Sequence, residues 1–356
     1  MVDTNESNIP RLSQFISILR LLAVTCLLAP ALASADTLDV YGELLGKTIL
    51  GPSGLPSLPD WTVSDLPPNK TNAIAFLENE FSKNGISVVQ DGSSFVRLIP
   101  SGAWQAGLSN APLRGAQLRA SPSKELIPAG AVNFPGSDLI QVLDIYATLK
   151  NRTILRTRFL PPQVVRLKTQ CALTRGELVY ALETVLALNG ISTVDDGQAF
   201  VQIVPIQLLY QVNTNAPAAD PGTRLFDPKK VTSMGDWETP RVQTKLEHDL
   251  ERWRKAFYEF IRLNGMRNSS AQRLLELYAN LTDKKAEPSK DYESQPIWFH
   301  VTTPLSKSEL LYAIETTFAL NSLAITRVGE GAARLGPNMK PGKDVGGRNA
   351  SPEPRL

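Results

Sequence analysis

Cysteine and histidine are nearly missing from this chain, which has two of each among 356 residues. That leaves too few ligands for a zinc site built from several such side chains, and no metal is expected. It also leaves no nucleophile with a base and an orienting group. His248 and His300 stand in different regions, and Cys171 lacks the local sequence of a catalytic thiol. Neither an enzyme nor a cofactor is expected. Charge of one sign is lacking too, because 37 Lys and Arg stand against 35 Asp and Glu, a net of +2. No global attraction to nucleic acid or acidic lipid follows. Arg166, Lys168 and Arg175 have no phosphate-gripping glycine loop beside them and read as a solvated basic face. Asp195 and Asp196 before Gly197 lack calcium-loop spacing and read as a hairpin turn.

The apolar run from Leu21 to Ala33 is too short to span a bilayer comfortably. Arg11 and Arg20 precede it, and Ala33-Ser34-Ala35 follows as a small-x-small cleavage pattern before Asp36. This is the three-part form of a secretory signal, so residues 1–35 are expected to be cleaved, with an uncleaved anchor as the alternative. The expected location is therefore exported, periplasmic or membrane-associated, with membrane contact only through that segment if it is retained. Cys171 then stands alone, no intrachain disulfide can form, and burial as a small apolar residue is its expected fate.

Repetition is what the chain has in quantity, with 26 prolines and 23 glycines gathered largely between the repeats. The clearest copy ends in Leu173–Pro205. Thr174 followed by Glu177 is a capping box, Leu178, Leu182, Val185, Leu186 and Leu188 recur at helical spacing, and Asn189-Gly190 ends the helix. Two β-rich runs, Ile191 to Val194 and Phe200 to Val204, then flank the Asp-Gly turn as a hairpin. Ahead of them come a helix over Leu139 to Lys150 and strands at Thr153-Ile154-Leu155 and Val164 to Thr169.

Sliding the chain by 105 positions lays an earlier copy on this one without a gap. Asp39-Val40-Tyr41 falls on Asp144-Ile145-Tyr146, Thr48-Ile49-Leu50 on Thr153-Ile154-Leu155, Asn84-Gly85-Ile86-Ser87 on Asn189-Gly190-Ile191-Ser192, and Phe95-Val96 on Phe200-Val201. A slide of 132 positions finds a third copy, with Leu305 to Thr316 on Leu173 to Thr184 and Leu277 to Leu281 on Ile145 to Leu149. The capping box recurs there as Ser306 and Glu309. The charged, proline-bearing stretch 283–295 predicts that the third copy loses its first strand to a loop, and the missing Phe-Val predicts a degraded final hairpin and a partly open module. Tyr41, Tyr146 and Tyr278 sit on the first helix of each copy and are read as rings packed on a sheet.

The expected fold is α+β: tandem small modules, each two helices packed on a small β-sheet, joined by flexible linkers. The segments are 36–100 for module one, 101–137 for a linker, 138–205 for module two, 206–236 for a second linker and 270–337 for a degenerate module three. Residues 338–356 read as a disordered tail. Residues 237–265 form a charged amphipathic helix with Leu246, Leu250, Trp253, Phe257 and Phe260 on its apolar face. Two readings of that face stand side by side: cover for the third module's core, or a docking helix for a partner.

Copies one and two resemble the periplasmic N-domains of secretins, the outer-membrane channels of type II secretion and type IV pilus systems. The resemblance rests on the order helix, T-I-L strand, Leu-Pro turn, strand, L-T-x-x-E capped helix, N-G-I and F-V-x-I-V-P strand; over 270–328 it is loose. It implies modules that contact secretion partners through exposed sheet edges and helices. No run of alternating strands after Gly336 would build the family's membrane barrel, so channel activity is not carried over. The expected function is an exported scaffold or adaptor in an envelope secretion or pilus assembly, with envelope proteins or self-association as the contacts. An exported repeat-built binder independent of secretion is the alternative. A KH-like nucleic-acid binder is a third; it lacks a G-x-x-G loop, and the net charge offers it nothing.

Overall fold

A computed structural model describes residues 36–56, 58–101, 125–218, 226–228, 245–264, 269–329 and 331–338. The predicted leader and residues 339–356 of the predicted tail lie outside these residues, as do 102–124 in the first predicted linker and 219–225 and 229–236 in the second, while the Asn338 amide donates to the Ser322 carbonyl at 3.0 Å. In chain order the elements begin with α1 (Thr37–Leu45), β1 (Thr48–Leu50), α2 (Lys70–Lys83), β2 (Ile86–Asp91) and β3 (Phe95–Pro100). Then come β4 (Leu126–Ile127), β5 (Asn133–Asp138), α3 (Leu139–Lys150), β6 (Thr153–Arg156), β7 (Val164–Lys168), β8 (Leu173–Thr174), α4 (Arg175–Leu188), β9 (Ile191–Asp196) and β10 (Phe200–Pro205). The last are α5 (Lys245–Asn264), β11 (Ser269–Ser270), α6 (Ala271–Leu281), β12 (Lys285–Glu287), β13 (Pro296–Ile297), α7 (Lys307–Leu320), β14 (Leu323–Val328) and β15 (Ala332–Pro337).

The chain is α+β with small mixed sheets. Three of these have one plan: β1-β3-β2, β6-β10-β9 and β12-β15-β14. In each, the central strand runs parallel to the short first strand, a pairing that requires a crossover, and a helix lies between the two in sequence. The residue closing the helix before each short strand is left-handed: Gly46, Asn151 and Asp283, with φ of 66°, 53° and 57°. Glycine, asparagine and aspartate are the residues that tolerate this geometry.

Two compact units divide the chain. Unit one takes residues up to Leu149 together with Pro162–Ile191, and unit two takes Lys150–Pro161 and the chain from Ser192 onward. The predicted module 138–205 is thereby split, with β7, β8, α4 and nearly all of α3 in unit one and β6 and β10 in unit two.

In unit one the inner face of β3 sends Val96 and Leu98 against Tyr41 of α1 and Leu77 and Phe81 of α2. Tyr41 meets Phe81 edge-on at 4.9 Å. The capping box of α4 forms as read: Thr174 Oγ1 accepts the Glu177 amide at 3.2 Å, and Glu177 accepts the Thr174 amide at 2.8 Å. The first predicted linker needs correction. β4 pairs with β8 and β5 with β7, both antiparallel, so 126–127 and 133–138 are sheet. Pro135 and Gly136 disguise β5, because the ladder bulges between Pro135 and Ser137 and alternation is lost there.

The expectations of a lost first strand and a degraded hairpin in 270–337 are overturned in unit two. β12 pairs parallel with β15, and β14 pairs with β15 along all six residues. Ala333 and Leu335 supply the inward face that Val96 and Leu98 supply in the first sheet. Three residues are too few for alternation to show, and β12 turns only Ala286 toward the core. The second predicted linker is also pinned where it is described. Phe226 is fully buried, exchanges backbone hydrogen bonds with Leu305 at 3.0 and 3.1 Å, and packs its ring on Phe257 at 5.3 Å.

Candidate interaction surfaces

A tyrosine on one helix and a glutamate on the next recur three times. Tyr41 donates to Glu78, Tyr146 to Glu183 and Tyr278 to Glu315, at 2.8, 2.8 and 2.9 Å, each pair 37 residues apart. The rings are buried, and no ligand platform is exposed by them. Burial first, and then the bond to Glu315, hold the Tyr278 phenol up at about 12. Burial and the Glu78 bond raise Tyr41 in the same direction.

The outer face of the first sheet carries a polar cluster against α4, all within unit one. Asp91 of β2 and Arg97 of β3 form a fully buried ion pair at 2.8 Å. The Tyr180 hydroxyl of α4 donates to Asp91 at 2.5 Å and accepts from the Arg97 guanidinium. Its ring lies 5.6 Å from that of Phe95. Around this centre Ser94 donates to Glu177 at 2.7 Å, the Gln170 amide donates to Thr48 Oγ1 at 3.1 Å, and the Ser53 amide donates to Asn189 Oδ1 at 2.9 Å. Cys171, read as a buried apolar residue, is partly exposed at this edge, 3.7 Å from Thr48 Oγ1.

The outer face of the second sheet meets α7 within unit two by the same scheme. The Tyr312 hydroxyl donates to Asp196 at 2.7 Å, and its ring lies 5.7 Å from that of Phe200. Gln202 takes the place of Arg97 and donates to Asp196 at 2.7 Å, while the Ala216 amide donates to the other carboxylate oxygen at 3.1 Å. The Thr302 amide donates to Thr153 Oγ1 at 3.2 Å, and the Arg158 amide to Asn321 Oδ1 at 2.8 Å. Slides of 105 and 132 positions carry Thr48, Ser53, Asp91, Phe95, Arg97, Gln170, Tyr180 and Asn189 of the first joint onto their counterparts in the second, while Ser94 falls on Ala199, which has no hydroxyl to give Glu309. Burial and then the Asp196 bond raise the Tyr312 phenol to about 12.

These joints are absent from the sequence reading, although their alignment was visible in it: Tyr312 falls on Tyr180, and Asp196 on Asp91. The reading of Asp196 as a turn residue alone is incomplete, since its side chain is fully buried in the joint. Of the basic cluster, Lys168 pairs with Asp39 at 3.1 Å and Glu43 at 3.5 Å, and Arg166 with Asp36 at 3.3 Å. Burial alone would lower the Lys168 ammonium, but the two carboxylates outweigh it and raise it. Arg175 donates to the Leu149 and Thr148 carbonyls at the end of α3.

The predicted docking face of α5 turns to the unit's own core. Phe257 and Phe260 are buried there, Trp253 packs against that core with the Lys307 ammonium 3.2 Å over its ring, and Leu250 is half-buried. The side chain of Leu246 lies outside the described residues. Core cover, the first of the two readings, is what these side chains provide. Among protein-family models, curated proteins and solved structures, none matches this chain. Among the described residues no cluster of histidine, cysteine and carboxylates could hold a metal, and no helix is long and apolar enough to cross a membrane.

Proposed function

We propose that the chain is a tandem array of three secretin N-domain-like modules, exported, that works as a scaffold or adaptor in an envelope secretion or pilus assembly. Its work is contact between proteins and not catalysis. The observation that carries this is the joint made twice: a sheet's outer face receives the capped helix of the next copy through equivalent residues. Tandem small units gain stability from neighbours in this way, and the resemblance implies that exposed sheet edges and helices are what such modules offer to other proteins. The leader-like segment before Asp36 supports export.

Two measurements test the proposal. Alkaline phosphatase fused behind Leu356 in a diderm bacterium is expected to be active, and to lose activity when residues 1–35 are removed; activity that ignores that removal would overturn export. Crosslinking in intact cells followed by affinity capture is expected to recover secretion or pilus components. A capture containing only cytoplasmic proteins would overturn the envelope role.

A further inference from the structure

The third sheet has an outer face too. Strand alternation sets it: Ala333, Leu335, Leu323 and Ile325 turn inward to the core, so Lys285, Ala332, Arg334 and Val328 turn outward. These are the positions held by Thr48, Phe95, Arg97 and Asp91 in the first sheet and by Thr153, Phe200, Gln202 and Asp196 in the second. The chemistry is inverted. The carboxylate that receives a tyrosine has become Val328, and the large ring has become Ala332, while Lys285 and Arg334 are exposed. Neither cation forms an ion pair among the described residues.

We propose that this face receives a capped helix from a separate protein, one that carries a carboxylate where α4 and α7 carry Tyr180 and Tyr312. The kind of occupant follows from the two joints already built, since both sheets take a capped helix at these positions. Its charge follows from Lys285 and Arg334, which would be left without compensation under a tyrosine. The alanine at position 332 opens the space that Phe95 and Phe200 fill, so an acidic side chain can reach the guanidinium. A second copy of this chain is a poor occupant: α4 and α7 are engaged, and α2 presents Asn72, Ala75 and Asn79 at the aligned positions, with no carboxylate. The inference rests on the tandem-module reading but not on the envelope setting.

The test is photocrosslinking in the native cells with benzoylphenylalanine placed at Ala332 of the full chain, and at Ser322 as control. The expected product joins position 332 to another protein at the first turns of a capped helix bearing Asp or Glu. Lys285→Glu with Arg334→Glu is expected to lower its yield about tenfold while thermal unfolding stays unchanged, because both residues are exposed. A crosslink to this chain's own tail, to a second copy, or to nothing would overturn the inference, as would a yield indifferent to charge reversal. A mapped acidic helix from a protein outside the envelope would uphold this docking face and overturn the envelope reading. Envelope partners captured elsewhere but not at position 332 would do the reverse.

Discussion

Asp91 and Asp196 are both fully buried carboxylates, yet only Asp91 has a cation beside it. Arg97→Met should therefore cost about 3–5 kcal/mol, because it strands a buried charge. Arg97→Gln should cost only about 1–2 kcal/mol, since Gln202 shows that an amide at this position can donate to the carboxylate. Denaturant unfolding of the two variants checks the order; equal losses would mean the ion pair is incidental. The phenols give a pH signature. Tyr278 and Tyr312 titrate at about 12 in the fold, above the ordinary tyrosine value of 10.0, so the fold favours their neutral form. Their contribution is complete below about pH 10 and is lost as pH climbs through about 12. Tyr278→Phe should shift the alkaline unfolding midpoint upward, read by tyrosinate absorbance together with circular dichroism.

Helix ends and strand pairs were unevenly legible. The boxes at Thr174–Glu177 and Ser306–Glu309 could be read directly, because a cap is local chemistry four residues long. Glu177→Ala is expected to cost about 2 kcal/mol, more than Glu309→Ala, because Ser94 also donates to Glu177. Paired thermal melts decide this. Strands β5 and β12 escaped notice because one bulges at Pro135–Ser137 and the other has three residues, so neither displays a period. The joints escaped for another reason. Tyr180 and Tyr312 look like ordinary helix residues, and their partners lie 89 and 116 positions away in sequence. Periodicity cannot report contacts of that range; only comparison of the copies with one another could have.

At the scale of the molecule, the division into two compact units cuts through the predicted module 138–205 and not between predicted modules. Phe257→Ala, in the core of unit two, should destabilise that unit by about 3–5 kcal/mol. Amide exchange should then quicken in α6, α7 and β15 and stay unchanged in α1 and α2; uniform quickening would show a single cooperative block.

α4 and α7 bring the same tyrosine and the same asparagine to sheets of the same plan, so on the proposed tandem reading either helix fits either of the first two sheets. Excision of one period would leave Tyr312 to face Asp91 and Arg97, and insertion of another would supply both a sheet and a helix to occupy it. On the proposed tandem reading, loss or gain of an internal period would leave each remaining joint whole, whereas loss of the last would strip the β6-β10-β9 face of the helix that carries Tyr312.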